Sequence, residues 1–125
     1  MITTLTLPHP VSANRYWRVY RNRVTRSPEA NDYRRAVIRA ATRARIVPTD
    51  RPVIVRMTYH PRMNKNGSAD KRRLDVTNTV KVAEDALQGL AYHDDKQVVS
   101  CTGRLGKPMA GGGLTVRIKT IEEGV

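Results

Sequence analysis

Apolar and polar positions alternate from the N-terminus onward. Ile2 to Leu7 reads as a strand, ended by Pro8 and Pro10. "PVIVRMTYH" (52–60) is a second strand, with Val53, Val55, Met57 and Tyr59 on one face and Ile54, Arg56, Thr58 and His60 on the other. "KQVVSCTGRL" (96–105) is a third. "LTVRIKTI" (114–121) is a fourth, in which Leu114, Val116 and Ile118 alternate with Arg117 and Lys119. The period changes to that of a helix in two places. Ser27-Pro28-Glu29 supplies a capping hydroxyl, a proline in the first turn and an acid at the positive end of the dipole. Tyr33, Val37, Ala40 and Ala44 then recur at helical spacing as far as Arg45, before Pro48. The second helix takes Thr77 as N-cap and Gly89 as its end, and buries Val76, Val80, Ala83, Leu87 and Leu90. The order β-α-β-α-β-β predicts an α+β (mixed α/β) layer fold. It has a small four-stranded sheet, two main helices and a closing hairpin through "KPMAGGG". "SANRYWRVYRNRVTRS" (12–27) reads as a basic, irregular arm and "PRMNKNGSADKRR" (61–73) as a flexible basic loop.

Length changes this picture little: 125 residues make one domain, 1–125, with one modest core. With one Trp, five Tyr and no Phe, that core is built from Val, Ile, Leu and Ala. No run of about 18 apolar residues spans a membrane, and the N-terminus lacks the pattern of a signal peptide. Cys101 is the only cysteine, so an intrachain disulfide is impossible; it reads as a small core residue. These features predict a cytoplasmic protein. Charge changes the picture more. Lys and Arg number 23 against 11 acids, a formal +12. A field of that strength points to nucleic acid rather than to a membrane surface, since the basic helix has only a thin, Ala-rich apolar face. Arg35, Arg39 and Arg43 repeat at i, i+4, i+8, either as a solvated face or beside a polyanion.

Against that background the acids of "LDVTNTVKVAEDALQGLAYHDDKQVV" (74–99) stand out. Asn78, Lys81, Asp85 and Gln88 line one polar stripe of the second helix, Asp75 lies just before it, and Asp94-Asp95 follows in a loop. Clustered carboxylates in a basic protein suit Mg²⁺ or Mn²⁺, which take hard oxygen ligands and a substrate phosphate. A nearby lysine can neutralise charge developing on phosphorus. The same residues also read as a capping acid, a surface i, i+4 pair (Lys81–Asp85) and a solvated turn.

The pattern Asp75, Asn78, Lys81, Asp85-Ala86-Leu87, then Asp94-Asp95-Lys96-Gln97, resembles the RusA-type Holliday junction resolvases of phages and prophages. "LPHPVSANRYWR" (7–18) is similar to that family's opening strand and turn, and "SPEANDYRRAV" (27–37) to its first helix. The resemblance implies a homodimer that binds four-way DNA junctions and nicks two opposed strands with Mg²⁺ or Mn²⁺, without an organic cofactor or a membrane. It also implies a nucleoid-associated role in a bacterial host. It assigns catalytic roles to Asp75, Lys81 and Asp95, with Asp75 and Asp95 meeting as ligands of one metal site and Lys81 beside them. The second aspartate of the family's Asp-x-Asp pair falls on Thr77, whose hydroxyl can ligate Mg²⁺ but brings no charge. Asp94, Asp70 or Asp85 would then compensate, or the chain would bind junctions without cutting them. Asn14, Arg15, Arg18, Lys71, Arg72, Arg73 and Asn78 are the expected DNA contacts. Tyr16, Trp17 and Tyr20 either stack on a base at the crossover or pack in the core.

Overall fold

A computed structural model describes residues 1–122. Among them, strands β1 (Ile2–Leu7), β2 (Trp17–Tyr20), β3 (Arg23–Arg26), β4 (Val53–His60), β5 (Val98–Leu105) and β6 (Gly113–Thr120) alternate with helices α1 (Ala13–Tyr16), α2 (Pro28–Arg43) and α3 (Val76–Leu87). This is the expected mixed α+β architecture with additional elements. The 12–27 segment is ordered rather than irregular. Ser12 caps α1, and β2 pairs antiparallel with β3 as a separate ribbon. Arg21 and Asn22 both have positive φ, as a two-residue hairpin turn between right-twisted strands requires.

The main sheet runs β1-β6-β4-β5. β6 is antiparallel to both β1 and β4, and β5 is parallel to β4. The expected hairpin between the last two strands is therefore absent, because β4 separates them. α3 supplies the crossover that a parallel β4–β5 pair needs.

Alternation sets the two faces of the sheet. Leu5, Leu7, Val55, Met57, Tyr59, Val116 and Ile118 are buried under α2 and α3. Ser27 caps α2 with Pro28 at N1, as the sequence predicts. Its buried stripe is Ala30, Tyr33, Val37 and Ala41; Ala40 is half-buried and Ala44 exposed, so the stripe drifts by one residue in the last turns. In α3 the fully buried positions are Thr79, Val82, Ala83, Ala86 and Leu87. Val76 and Val80, expected in the core, lie half-buried over β5. Gly103 permits that approach, because a Cβ there would collide with the Val80 side chain. Gly103→Ala should therefore lower the unfolding free energy by about 1–3 kcal/mol. Val80→Ala should cost less in that background than alone, as a urea double-mutant cycle would measure.

Candidate functional site

The start of α3 is fixed from the strand beneath it. The Leu74 amide donates to the Tyr59 hydroxyl at 3.0 Å, one residue before the helix cap. That cap is Asp75, not Thr77: Asp75 Oδ1 accepts from the amides of Thr77 at 2.8 Å and Asn78 at 3.3 Å. A carboxylate is both a good cap and well placed at the positive end of the dipole. The bond set uses Oδ1 only, so Oδ2 remains outside the cap. Thr77 is exposed on the first turn. Gly89, with φ +87°, follows the last turn as expected.

The second acidic segment is held just as locally. Asp95–Gln97 form one 3₁₀ turn capped by Asp94, whose Oδ1 accepts from the Lys96 amide at 2.9 Å. Gln97 is its anchor. Its Oε1 accepts from the amides of His93 and Asp94 at 2.8 and 3.0 Å, and its Nε2 donates to the carbonyls of Thr49 and Arg51 at 2.7 and 2.9 Å. The Lys96 amide, then the neighbouring Asp95, hold the Asp94 carboxyl below the usual aspartate value. Asp94 is thus occupied as a cap, and the turn presents Asp95.

Asp95 lines a cavity of about 320 Å³ together with Trp17, Lys81, Glu84, Asp85 and Gln88. Lys81 and Asp95 therefore come together as expected. Asp75, six residues before Lys81, does not line this cavity. Glu84 was not among the expected residues, although it lies three residues after Lys81 and so on the same side of the helix. It also adjoins Cys101. Burial first, then the Glu84 carboxylate, push that thiol up to about 11. Cys101 is half-buried against the core, as expected of a small packing residue.

Asp85 does something different from what its position on the polar stripe suggests. It does not pair with Lys81. It accepts from the Tyr16 hydroxyl, from Arg26 Nε and Nη2 at 2.8 and 2.9 Å, and from Arg34 Nη1 at 3.2 Å. Burial alone would raise its carboxyl. The Arg26 and Tyr16 hydrogen bonds and the Arg26 and Arg34 charges outweigh that and hold it below the ordinary 3.8. Burial, then Asp85, push the Tyr16 hydroxyl up to about 12. Arg26, at the end of the segment that reads as a basic, irregular arm, is a structural partner of Asp85. Tyr16 is wholly buried, whereas Trp17 and Tyr20 are exposed, so core packing holds for the first of the three only. Asp70 is likewise committed: it binds the Arg72 amide at 2.9 Å and its guanidinium at 3.2 Å, which together hold its carboxyl low.

Ionic pairing and position separate the acids into three groups. Asp32, Asp50, Asp70, Asp85 and Glu122 have cationic or histidine partners. Among the described residues Glu29, Asp75 and Asp94 have none but sit at helix or turn starts. Glu84 and Asp95 also have none, and they share one cavity. No group of three His, Cys, Asp or Glu side chains suited to a metal occurs among the described residues. Two free carboxylates beside open space are nonetheless a donor set that Mg²⁺ accepts, since it completes its shell with water and substrate phosphate. Asn14 and Arg15 on α1, Arg18 on β2, Lys71–Arg73 before α3 and Asn78 on its first turn are all exposed.

Comparison with known proteins places the chain in a family. A family model described as endodeoxyribonuclease RusA matches residues 8–119. The chain is similar to the crossover junction endodeoxyribonuclease RusA of Escherichia coli strain K12, with 38% identity over 98 residues, 77% of this chain and 76% of that protein. It is also similar to the protein of that name from Enterobacteria phage 82, with 36% identity over 97 residues, 76% and 75% of the two chains. A third, from E. coli O139:H28, is 32% identical over 111 residues, 88% and 87%.

Removing the carboxylate that joins these segments has a calculable sign. Asp85→Ala leaves Arg26, Arg34 and Tyr16 without their acceptor and should cost about 2–4 kcal/mol in urea unfolding at pH 7. Because the folded carboxyl titrates below 3.8, its stabilisation is full at neutral pH. It is lost as pH falls through 3.8 toward the folded value. Stability should thus fall less steeply in acid for Asp85→Asn than for the parent.

Proposed function

The chain belongs to the RusA endodeoxyribonuclease family, whose model covers most of its length, and on that premise we propose that it is a divalent-metal-dependent endonuclease cutting four-way DNA junctions by paired nicks. The observation that carries the reading is the Lys81–Glu84–Asp95 cavity. A protein with a formal +12 charge has cations to spare, yet these two carboxylates stay unpaired within one recess. Asp95 and Glu84 would hold Mg²⁺ or Mn²⁺ there, while Asp75 Oδ2 and the Thr77 hydroxyl, outside this recess at the start of the same helix, would act on such an ion only through bound water or the substrate phosphate. Such an ion supplies an activated water and neutralises the leaving oxygen.

The chain's own residues do the rest. The Lys81 ammonium faces the recess and offsets charge developing on the phosphate. Trp17, half-exposed on the other wall, limits water access and bounds the space for the sugar-phosphate backbone. Exposed Arg15, Arg18, Lys71 and Arg73 hold the flanking phosphates. Symmetric nicking of two strands needs two sites, and this chain has room for one, so the active species is a C₂ homodimer.

Thr77 favours a second reading. With a neutral residue where the family carries a carboxylate, the protein would bind junctions without cutting them.

A labelled four-way junction incubated with Mg²⁺, Mn²⁺ or EDTA separates the two. Paired symmetric nicks should appear with metal and vanish in EDTA. Asp95→Asn should slow them at least about 100-fold, and Lys81→Met by about 10²–10³-fold in the cleavage step. Cleavage that persists in Asp95→Asn would overturn the site. No cleavage with either metal, but cleavage by Thr77→Asp, would establish the non-cutting reading. If the parent cuts, Thr77→Asp should lower the Mg²⁺ needed for half-maximal rate about tenfold.

A further inference from the structure

The helices cover one face of the four-stranded sheet and leave the other open. On that open face Arg56 of β4 lies directly opposite Arg117 of β6. Lys119 lies opposite Ile54 on β6, and Arg104 of β5 lies opposite Thr58. Like charges directly opposite on neighbouring strands are destabilising, so the Arg56–Arg117 pair costs the fold something. None of the four cations has an acidic partner among the described residues, and the face carries no Asp or Glu. They form a diagonal stripe across three strands, roughly 16 Å long from the usual strand spacing and rise. That length matches about four to five nucleotides of one duplex strand. The stripe crosses a concavity of about 590 Å³ whose walls also carry the hydroxyls of Thr4, Thr58, Thr102 and Thr115.

Cations spaced along a line, with hydroxyl donors between them, suit phosphate oxygens. The one ring on this face among the described residues, His60, is held at one end by the Lys107 carbonyl and the Thr115 hydroxyl, so none is free to stack a base. Its apolar members, Ile2 and Ile54, lie toward one end, so it does not offer the apolar centre of a sheet-on-sheet dimer. It lies on the side of the sheet away from α3 and the cavity.

We propose that the open sheet face is a second phosphate-binding surface that holds a duplex arm of branched DNA away from the cutting site. This rests on the DNA-acting reading above and adds a surface that reading does not need.

The experiment is fluorescence anisotropy of a labelled four-way junction across a salt series. It compares the parent with R56Q/R104Q/R117Q/K119Q and with an equal-charge control on α2 and its end, R35Q/R39Q/R43Q/R45Q. Circular dichroism melts report folding; losing the Arg56–Arg117 repulsion should leave the sheet variant at least as stable as the parent. The log–log salt slope of the sheet variant should be shallower by about three to four units, since each of the four phosphate contacts contributes about 0.9. Its Kd at about 0.1 M salt should rise at least tenfold, and the control should change less. Equal losses in both variants, or an unchanged slope in the sheet variant, would overturn this inference alone. A binding loss that tracks dissociation of a dimer in sedimentation would overturn it in favour of a self-association face. A parent that binds no DNA would overturn the DNA-acting reading together with it.

Discussion

The Asp85 carboxylate receives hydrogen bonds from three side chains that stand 51 to 69 residues away in sequence. Tyr16 ends α1, Arg26 ends the ribbon and Arg34 lies in the second turn of α2, so one side chain of α3 fastens the N-terminal third of the molecule. Burying a carboxylate is costly, and here that cost is visible as the upward push on its proton affinity. The bidentate Arg26 contact, the phenol and the second guanidinium reverse the sign. Charge-assisted, two-pronged geometry of this kind is what makes a partly buried ion pair favourable. Fixing Tyr16 and Arg26 also fixes Trp17 between them in the chain, and Trp17 packs edge-on against Tyr16 at 4.8 Å. The wall of the cavity therefore depends on Asp85, although Asp85 itself has no free capacity for chemistry.

This arrangement sorts the acids of a strongly basic protein by task. One group neutralises arginines and shapes the chain. A second caps helix and turn starts. The third, Glu84 and Asp95, is left unneutralised where it faces open space beside Lys81. The cations are sorted too. Arg26, Arg34 and Arg72 have carboxylate partners, whereas the open sheet face keeps four together without acidic partners among the described residues. Both unpaired sets cost stability in the folded chain, and on the functions proposed above both would be relieved by ligands of opposite charge, a metal ion in one place and phosphates in the other.

Local pattern made much of this legible. β1 and the start of α2 follow from prolines and a capping serine, and the alternating faces of β4 and β6 from residues spaced by two. Long-range partners did not show. Asp85 stands on the polar stripe as periodicity predicts, but no local rule links it to Tyr16 or Arg26. The ribbon was missed because its strands are four residues each and its turn is Arg-Asn rather than Asn-Gly. The parallel placement of β5 was missed although β4-α3-β5 is a strand–helix–strand unit. The nearby glycine-rich turn suggested a hairpin, and β5 buries little side chain to argue otherwise. Thr77 reads as the cap because hydroxyls are good caps, but the aspartate two residues earlier is a better one. Gln97 of the Asp-Asp-x-Gln motif proves to be the anchor that presents Asp95, a role that requires Thr49 and Arg51 and so lies beyond the motif itself.

If Asp85 is the fastening on which the cavity wall depends, loosening should be local. Hydrogen–deuterium exchange of the parent and Asp85→Asn at neutral pH tests this most directly. The account predicts faster exchange of the amides of Trp17–Arg26 in the variant, with those of β4 and β6 unchanged. Unchanged exchange over Trp17–Arg26, or uniform loosening of the whole sheet, would contradict it.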